Sequence, residues 1–100
     1  MIGCDVIRVS RFKKNIDKWP NKILGNLEKE EFYKTKNKLQ YIAGRWALKE
    51  SIYKINPIVF NKINILNKKN GKPYVKELAN IYISLSHDGD YCFAVAYKGN

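Results

Sequence analysis

The stretch that most constrains this chain is Tyr41 to Lys54, YIAGRWALKESIYK, where apolar side chains return at helical spacing and one place in the stripe is taken by a carboxylate. Leu39, Ala43, Trp46 and Tyr53 define the stripe, and Glu50 stands where a further core residue is expected. Taking a carboxylate out of water is unfavourable unless a cation or hydrogen-bond donors satisfy it. Glu50 is therefore either half of an ion pair with a nearby lysine or a ligand for a bound cation. Lys54 follows one turn later on the same side, and Arg45 and Lys49 stand one turn apart on an adjacent face. A second carboxylate in apolar surroundings, Asp5, lies near the N-terminus.

The segment around Asp5, Met1 to Ser10, alternates as a strand. Ile2, Cys4 and Val6 point one way, and Gly3, Asp5 and Ile7 the other. Aspartate is disfavoured inside strands, so a role in capping the next turn competes with a functional one. Ser10 predicts an N-cap for a helix from Arg11 to about Lys18, stopped by Trp19, Pro20 and Asn21. Arg11, Lys13, Lys14 and Lys18 make that helix strongly positive, which suits either a solvated face or a dock for an acidic helix. Ile23 to Phe32, with Glu28, Glu30 and Glu31, reads as a short solvent-facing helix, and the central helix runs from about Lys36 to Lys54.

Beyond Pro57 the pattern becomes extended. Ile58–Leu66 and Pro73–Val75 read as a hairpin about Asn70 and Gly71, and Ile81–Ser86 with Tyr91–Lys98 as a second about His87 to Asp90. Strand, helices, long helix, then antiparallel strands give an α+β fold: an antiparallel sheet packed on one long helix plus short helices. One hundred residues suit one domain, 1–100, with little surplus stability, so oligomerisation would help.

Nineteen basic residues against nine acidic ones give a formal net charge of +10, which directs attention to phosphates, nucleic acid, anionic membranes or acidic proteins. Cys4 and Cys92 are too far apart for a metal-ligand spacing and read as reduced, packed thiols. No apolar run approaches the roughly 18 residues of a spanning helix, and no leader precedes the first strand, so the expected compartment is the cytoplasm.

Two carboxylates among lysines suit one hard divalent cation, since magnesium keeps several waters and is held by one or two carboxylates plus substrate phosphates. Ser86, His87 and Asp88 are adjacent in the chain, the wrong geometry for a nucleophilic triad. His87 is either a phosphate donor or a turn histidine in water. Asn70 to Pro73 forms a tight turn that lets a ligand approach the backbone, but its Gly-Lys pair lacks the rest of a Walker loop.

Four segments in order, IGCDVIRVSRF, AGRWALKESIYK, NGKPYV and ISLSHDGDYCFAVA, resemble those of holo-acyl-carrier-protein synthases, the short 4'-phosphopantetheinyl transferases. The resemblance spans nearly the whole chain, and its WxxKExxxK pattern is fairly specific. It implies a 4'-phosphopantetheinyl transferase fold and a magnesium-dependent transfer of 4'-phosphopantetheine from coenzyme A to a serine of apo-acyl carrier protein, releasing adenosine 3',5'-bisphosphate. It places the metal ligands at Asp5 and Glu50 and a catalytic lysine at Lys54. Arg45, Lys49, the turn Gly71, Lys72 and Pro73, and Ser86 with His87 would line the coenzyme A site. Arg11, Lys14 and Lys18 would face the carrier, and a homotrimer with active sites between subunits is implied. Glu50 through a water, or Lys54, would accept the serine proton.

A reading from another class competes: a non-enzymatic basic module that binds nucleic acid, with Tyr82, Tyr91 and Phe93 as stacking residues on a sheet. A clamp for an acidic protein, binding without turnover, is a third.

Overall fold

Alternation in the first strand sets the architecture. In the computed structural model, which describes residues 1–99, β1 (Ile2–Arg8) buries Gly3 and Ile7, half-buries Asp5, and leaves Ile2, Cys4 and Val6 exposed. Two 3₁₀ turns, Val9–Phe12 and Ile16–Lys18, lead to α1 (Trp19–Ile23), α2 (Asn26–Lys34) and α3 (Lys38–Tyr53). A further 3₁₀ turn at Phe60–Lys62 precedes β2 (Ile65–Asn67), β3 (Pro73–Val75), β4 (Ile81–Asp88) and β5 (Tyr91–Lys98). The fold is α+β, as expected.

β5 lies between β1 and β4 in an antiparallel three-stranded sheet, with Asp5 and Leu85 both opposite Ala94. The inward residues of β5, Cys92, Ala94 and Ala96, are small and fully buried, which lets α3 lie close across the sheet. Contact is tightest at Gly3, where an added Cβ would fall 2.2 Å from the Ser51 carbonyl oxygen. Ser51 Oγ donates to the carbonyls of Ala47 and Ala94, at 2.8 and 3.2 Å, fastening helix to sheet. β2 and β3 pair as a separate two-stranded hairpin whose turn holds Gly71 at φ 88°.

Several expectations need correction. The residues Arg11 to Lys18 do not form one helix. Ser10 donates its hydroxyl and its backbone N–H to the Asp90 carboxylate instead of capping, and Asn15 interrupts the run in the left-handed region at φ 59°. Trp19 and Pro20 start α1 rather than stopping a helix, because a first-turn proline has no intrahelical N–H bond to lose. Residues 58–64 are not strand, and β2 begins at Ile65.

The buried face of α3 is also rotated from the expected stripe. Ile42, Ala43, Ala47, Leu48, Ser51 and Ile52 form it, whereas Leu39, Trp46 and Glu50 are half-buried at its margin and Tyr53 is 53% exposed. Glu28 is fully buried rather than solvent-facing, and Cys4 is an exposed free thiol while Cys92 is packed. β4 continues through His87 and Asp88, so the second turn is shorter than expected, with Gly89 at φ 56°.

Candidate active site

Asp5 reaches the last turns of α3 because Gly3, two residues earlier on the same face of β1, abuts Ser51. Lys54, at the C-terminal cap of α3, donates to the Cys4 carbonyl at 2.6 Å and places its ammonium 3.6 Å from Asp5 Oδ1. Glu50 is one turn before Lys54, whose backbone N–H bonds the Glu50 carbonyl at 3.2 Å. Sequence-distant Asp5 thus meets the end of α3 that carries Glu50 and Lys54.

The electrostatics of Asp5 are unusual for a strand carboxylate. Burial pushes it above its ordinary value of 3.8, while Lys54 and the more distant Arg11 pull the other way. Its Oδ2 is buried without a hydrogen-bond partner, an anionic oxygen with unused capacity to take a cation. Among the described residues no three His, Cys, Asp or Glu side chains converge. A magnesium ion fits a site of this composition, in which Asp5 and Glu50 would hold it and substrate and water complete the shell.

The positive residues assigned to coenzyme A divide into three environments. Arg45 and His87 line one cleft of about 200 Å³ between α3 and β4, with Asn37, Gln40, Tyr41 and Leu85. A neighbouring cleft shares Thr35, Tyr41 and Arg45 and adds Lys34 and Asn67. Lys72 and Pro73 line a different one, about 460 Å³, beside Lys68, Tyr74, Lys76 and Tyr82. The residues expected at the coenzyme site thus line separate clefts in the single chain. Ser86 and His87, consecutive in β4, project to opposite faces of the sheet, and only His87 looks into the Arg45 cleft.

Lys49 is a correction. Its side chain is fully buried, with the ammonium paired to Glu28 Oε1 and donating to the carbonyls of Ile23, Phe60 and Ile63 at 2.7, 2.9 and 2.6 Å. An ammonium so occupied does not contact coenzyme A. Burial lowers its pKa from the ordinary 10.5, and Glu28 opposes that shift. Arg45 is partly committed too: its guanidinium donates to the Ile65 carbonyl at 2.9 Å, lies 3.3 Å from Glu28 Oε2 and sits 4.3 Å over the Tyr41 ring.

Tyr41, Asn37 and Gln40 were missed as cleft residues by sequence reasoning. The Tyr41–Arg45 spacing of one helical turn, which brings ring and guanidinium together, was the available signal. Of the residues expected to meet the carrier, Arg11, Lys14 and Lys18 are all exposed. Arg11 lies 5.8 Å over Trp46, and Lys18 4.7 Å over Trp19.

These features define a small α+β protein with Asp5 beside the Lys54 end of α3 and with clefts lined by basic residues, and comparison with known proteins gives the class. The family model described as 4'-phosphopantetheinyl transferase superfamily matches residues 1–96. A holo-[acyl-carrier-protein] synthase from Mycoplasma mobile is 40% identical over 100 residues, covering 98% of this chain and 88% of that protein. A crystal structure of a holo-(acyl-carrier-protein) synthase from Bacillus anthracis in complex with CoA (3',5'-ADP) superposes with a TM-score of 0.87 at 27% identity, over 99% of this chain and 96% of that one. The synthase of Helicobacter pylori in complex with coenzyme A gives 0.83 at 26% identity, over 99% and 100%. The chain belongs to the 4'-phosphopantetheinyl transferase superfamily and, within it, to the holo-[acyl-carrier-protein] synthases.

Proposed function

We propose that this enzyme transfers 4'-phosphopantetheine from coenzyme A to a serine of an apo-acyl carrier protein in a magnesium-dependent reaction, giving holo-carrier and adenosine 3',5'-bisphosphate for fatty acid biosynthesis in the cytoplasm. The observation that carries the magnesium dependence is the buried, unpartnered Oδ2 of Asp5 beside the turn holding Glu50 and Lys54. A bound magnesium would neutralise charge on the pyrophosphate as the bond breaks.

The chain's own residues supply the rest. Lys54, whose ammonium donates to Cys4 and faces Asp5, offers positive charge to the phosphates rather than a proton acceptor, so Glu50 takes the serine proton through a water. Arg45 with His87, and the turn Gly71, Lys72 and Pro73, hold the nucleotide end. Ser86, on the other face of the sheet, contacts coenzyme A bound by a neighbouring subunit. The exposed Arg11, Lys14 and Lys18 steer the acidic carrier.

The outer face of the sheet supports a homotrimer with sites between subunits. Ile2, Val6, Phe93, Tyr97 and Tyr82 stand on it, between 45% and 71% exposed, an apolar surface suited to burial against other copies. Division of the expected coenzyme residues between separate clefts fits a site completed by a neighbour. Tyr82, Tyr91 and Phe93 then serve assembly rather than nucleic-acid stacking. No described helix is long and apolar enough to cross a membrane. Each chain acts as one transferase domain.

The test is incubation of native protein with apo-carrier, coenzyme A and magnesium, following adenosine 3',5'-bisphosphate by chromatography. Release that stops when magnesium is chelated supports the proposal; release unaffected by chelation removes the metal from it.

A further inference from the structure

Ile65, the first residue of β2, is gripped on both of its backbone polar groups. Its N–H donates to Glu28 Oε2 at 3.0 Å, and its carbonyl accepts from the Arg45 guanidinium at 2.9 Å. The same Glu28 carboxylate pairs through Oε1 with the Lys49 ammonium, which in turn gathers the Ile23, Phe60 and Ile63 carbonyls. Next in chain, Asn64 caps α2 from outside: its Oδ1 accepts the N–H groups of Leu27 and Glu28 at 3.0 and 3.3 Å, against Gly25, where an added Cβ would strike it at 2.3 Å.

β2 and β3 form a hairpin of three-residue strands, too small to hold its own orientation. The turn between them carries Gly71 and Lys72, with Pro73 opening β3, so the grip on Ile65 sets the direction of that turn together with the packing of β3 on β4 and the Asn64 contacts to Lys76 and Glu77. We propose that the buried Glu28–Lys49 pair, with Arg45, is a positioning clamp that sets the pose of the Gly71–Pro73 turn for coenzyme A, and that Lys49 serves the reaction through this clamp without touching substrate. The inference rests on the proposed coenzyme role of that turn. It also gives the lysine preceding Glu50 a use different from the ligand contact expected from sequence.

The clamp has a physical rationale. The Lys49 ammonium and both Glu28 oxygens are buried and hydrogen-bonded, while Arg45 adds one donor to Ile65 and a 3.3 Å charge contact from its Nε to Glu28, so small displacements break several contacts at once and the support is stiff. A softer, apolar replacement would keep the chain folded while letting the hairpin wander.

The test compares native protein with Lys49→Met and with the pair Glu28→Gln/Lys49→Met, the second included because the single variant leaves the buried Glu28 with Arg45 as its one counter-charge. Hydrogen exchange by mass spectrometry and calorimetric titration with coenzyme A are read on the folded proteins. The expected result for the double variant is faster exchange in residues 65–75, unchanged exchange in β1, β4 and β5, and coenzyme A affinity weakened at least tenfold with carrier affinity within twofold of native. Unchanged exchange at 65–75, or equal losses of coenzyme A and carrier binding, would overturn the clamp. Native protein that bound no coenzyme A would sink the reading of the turn itself, and the exchange pattern would still decide whether the pair holds the hairpin.

Discussion

The Lys54 ammonium lies 3.6 Å from Asp5 Oδ1, so the cap of the longest helix and the middle of the first strand share one charge contact. Lys54 is half-exposed, and a surface pair of this sort contributes little to stability. Its importance is positional, because it marks the end of α3 that Asp5 faces and that bears Glu50.

Asp5→Asn separates function from stability. Burial raises the pKa of Asp5, so the contribution of its protonated form is complete below the ordinary 3.8 and is lost as pH rises through the raised folded value. The stability of native protein relative to Asp5→Asn should therefore decline as pH rises above the ordinary 3.8, by urea denaturation at each pH. A difference that grows with pH would show that Asp5 is held ionised instead. Transfer activity should be abolished in the variant with its fold intact.

Lys49→Met should cost about 3–5 kcal/mol, since it removes the fully buried partner of Glu28, leaving Arg45 as the one remaining counter-charge, and takes the ammonium from the Ile23 and Ile63 carbonyls. Glu28→Gln/Lys49→Met should recover part of that loss, because both charges leave together. Denaturation midpoints with unchanged slopes check the ordering; a double variant less stable than the single would contradict it.

Reversing charge at Arg11 and Lys14 should weaken carrier binding at least tenfold while leaving coenzyme A affinity within about threefold, with the loss concentrated in the association rate and diminished by salt. Neither side chain lines the clefts that hold Arg45, His87 and Lys72. Equal losses for both ligands in titration calorimetry would remove the docking role.

Val6→Asp/Phe93→Asp places charges on the outer face of β1 and β5, where Val6 and Phe93 are paired across the strands. Sedimentation should show three chains for native protein and one for the variant, and transfer should fall with it. A native protein that sediments as a single chain would contradict the assembly.

Much of the fold was legible because it rests on local patterns. The alternation of β1 put Asp5 beside Ile7, the central helix ends within two residues of its expected bounds, and Asn70–Gly71 and Gly89 mark the two turns. What was not legible depends on distant partners. Ser10 looks like a helix cap until Asp90 takes its hydroxyl, and Glu28 looks solvent-facing until Lys49, Arg45 and Ile65 converge on it. The nearest local hint was Gly25 followed three residues later by Glu28, whose carboxylate reaches back to the Gly25 N–H at 2.9 Å. Lys49 and Glu50 are neighbours in sequence yet point to different surroundings, one into the core and one to its margin. Periodicity alone gave α3 the wrong phase because Trp46 and Tyr53 are apolar without being central.

Asp5 and Glu50 acting together is the central claim, and intact-mass spectrometry of the carrier tests it most directly. Apo-carrier incubated with native enzyme, coenzyme A and magnesium should gain one phosphopantetheine group on a single serine. With folded Glu50→Gln, the gain should slow by about a hundredfold to a thousandfold, by analogy with removal of other charge-stabilising groups. Modification by Glu50→Gln at a rate near native would contradict the account.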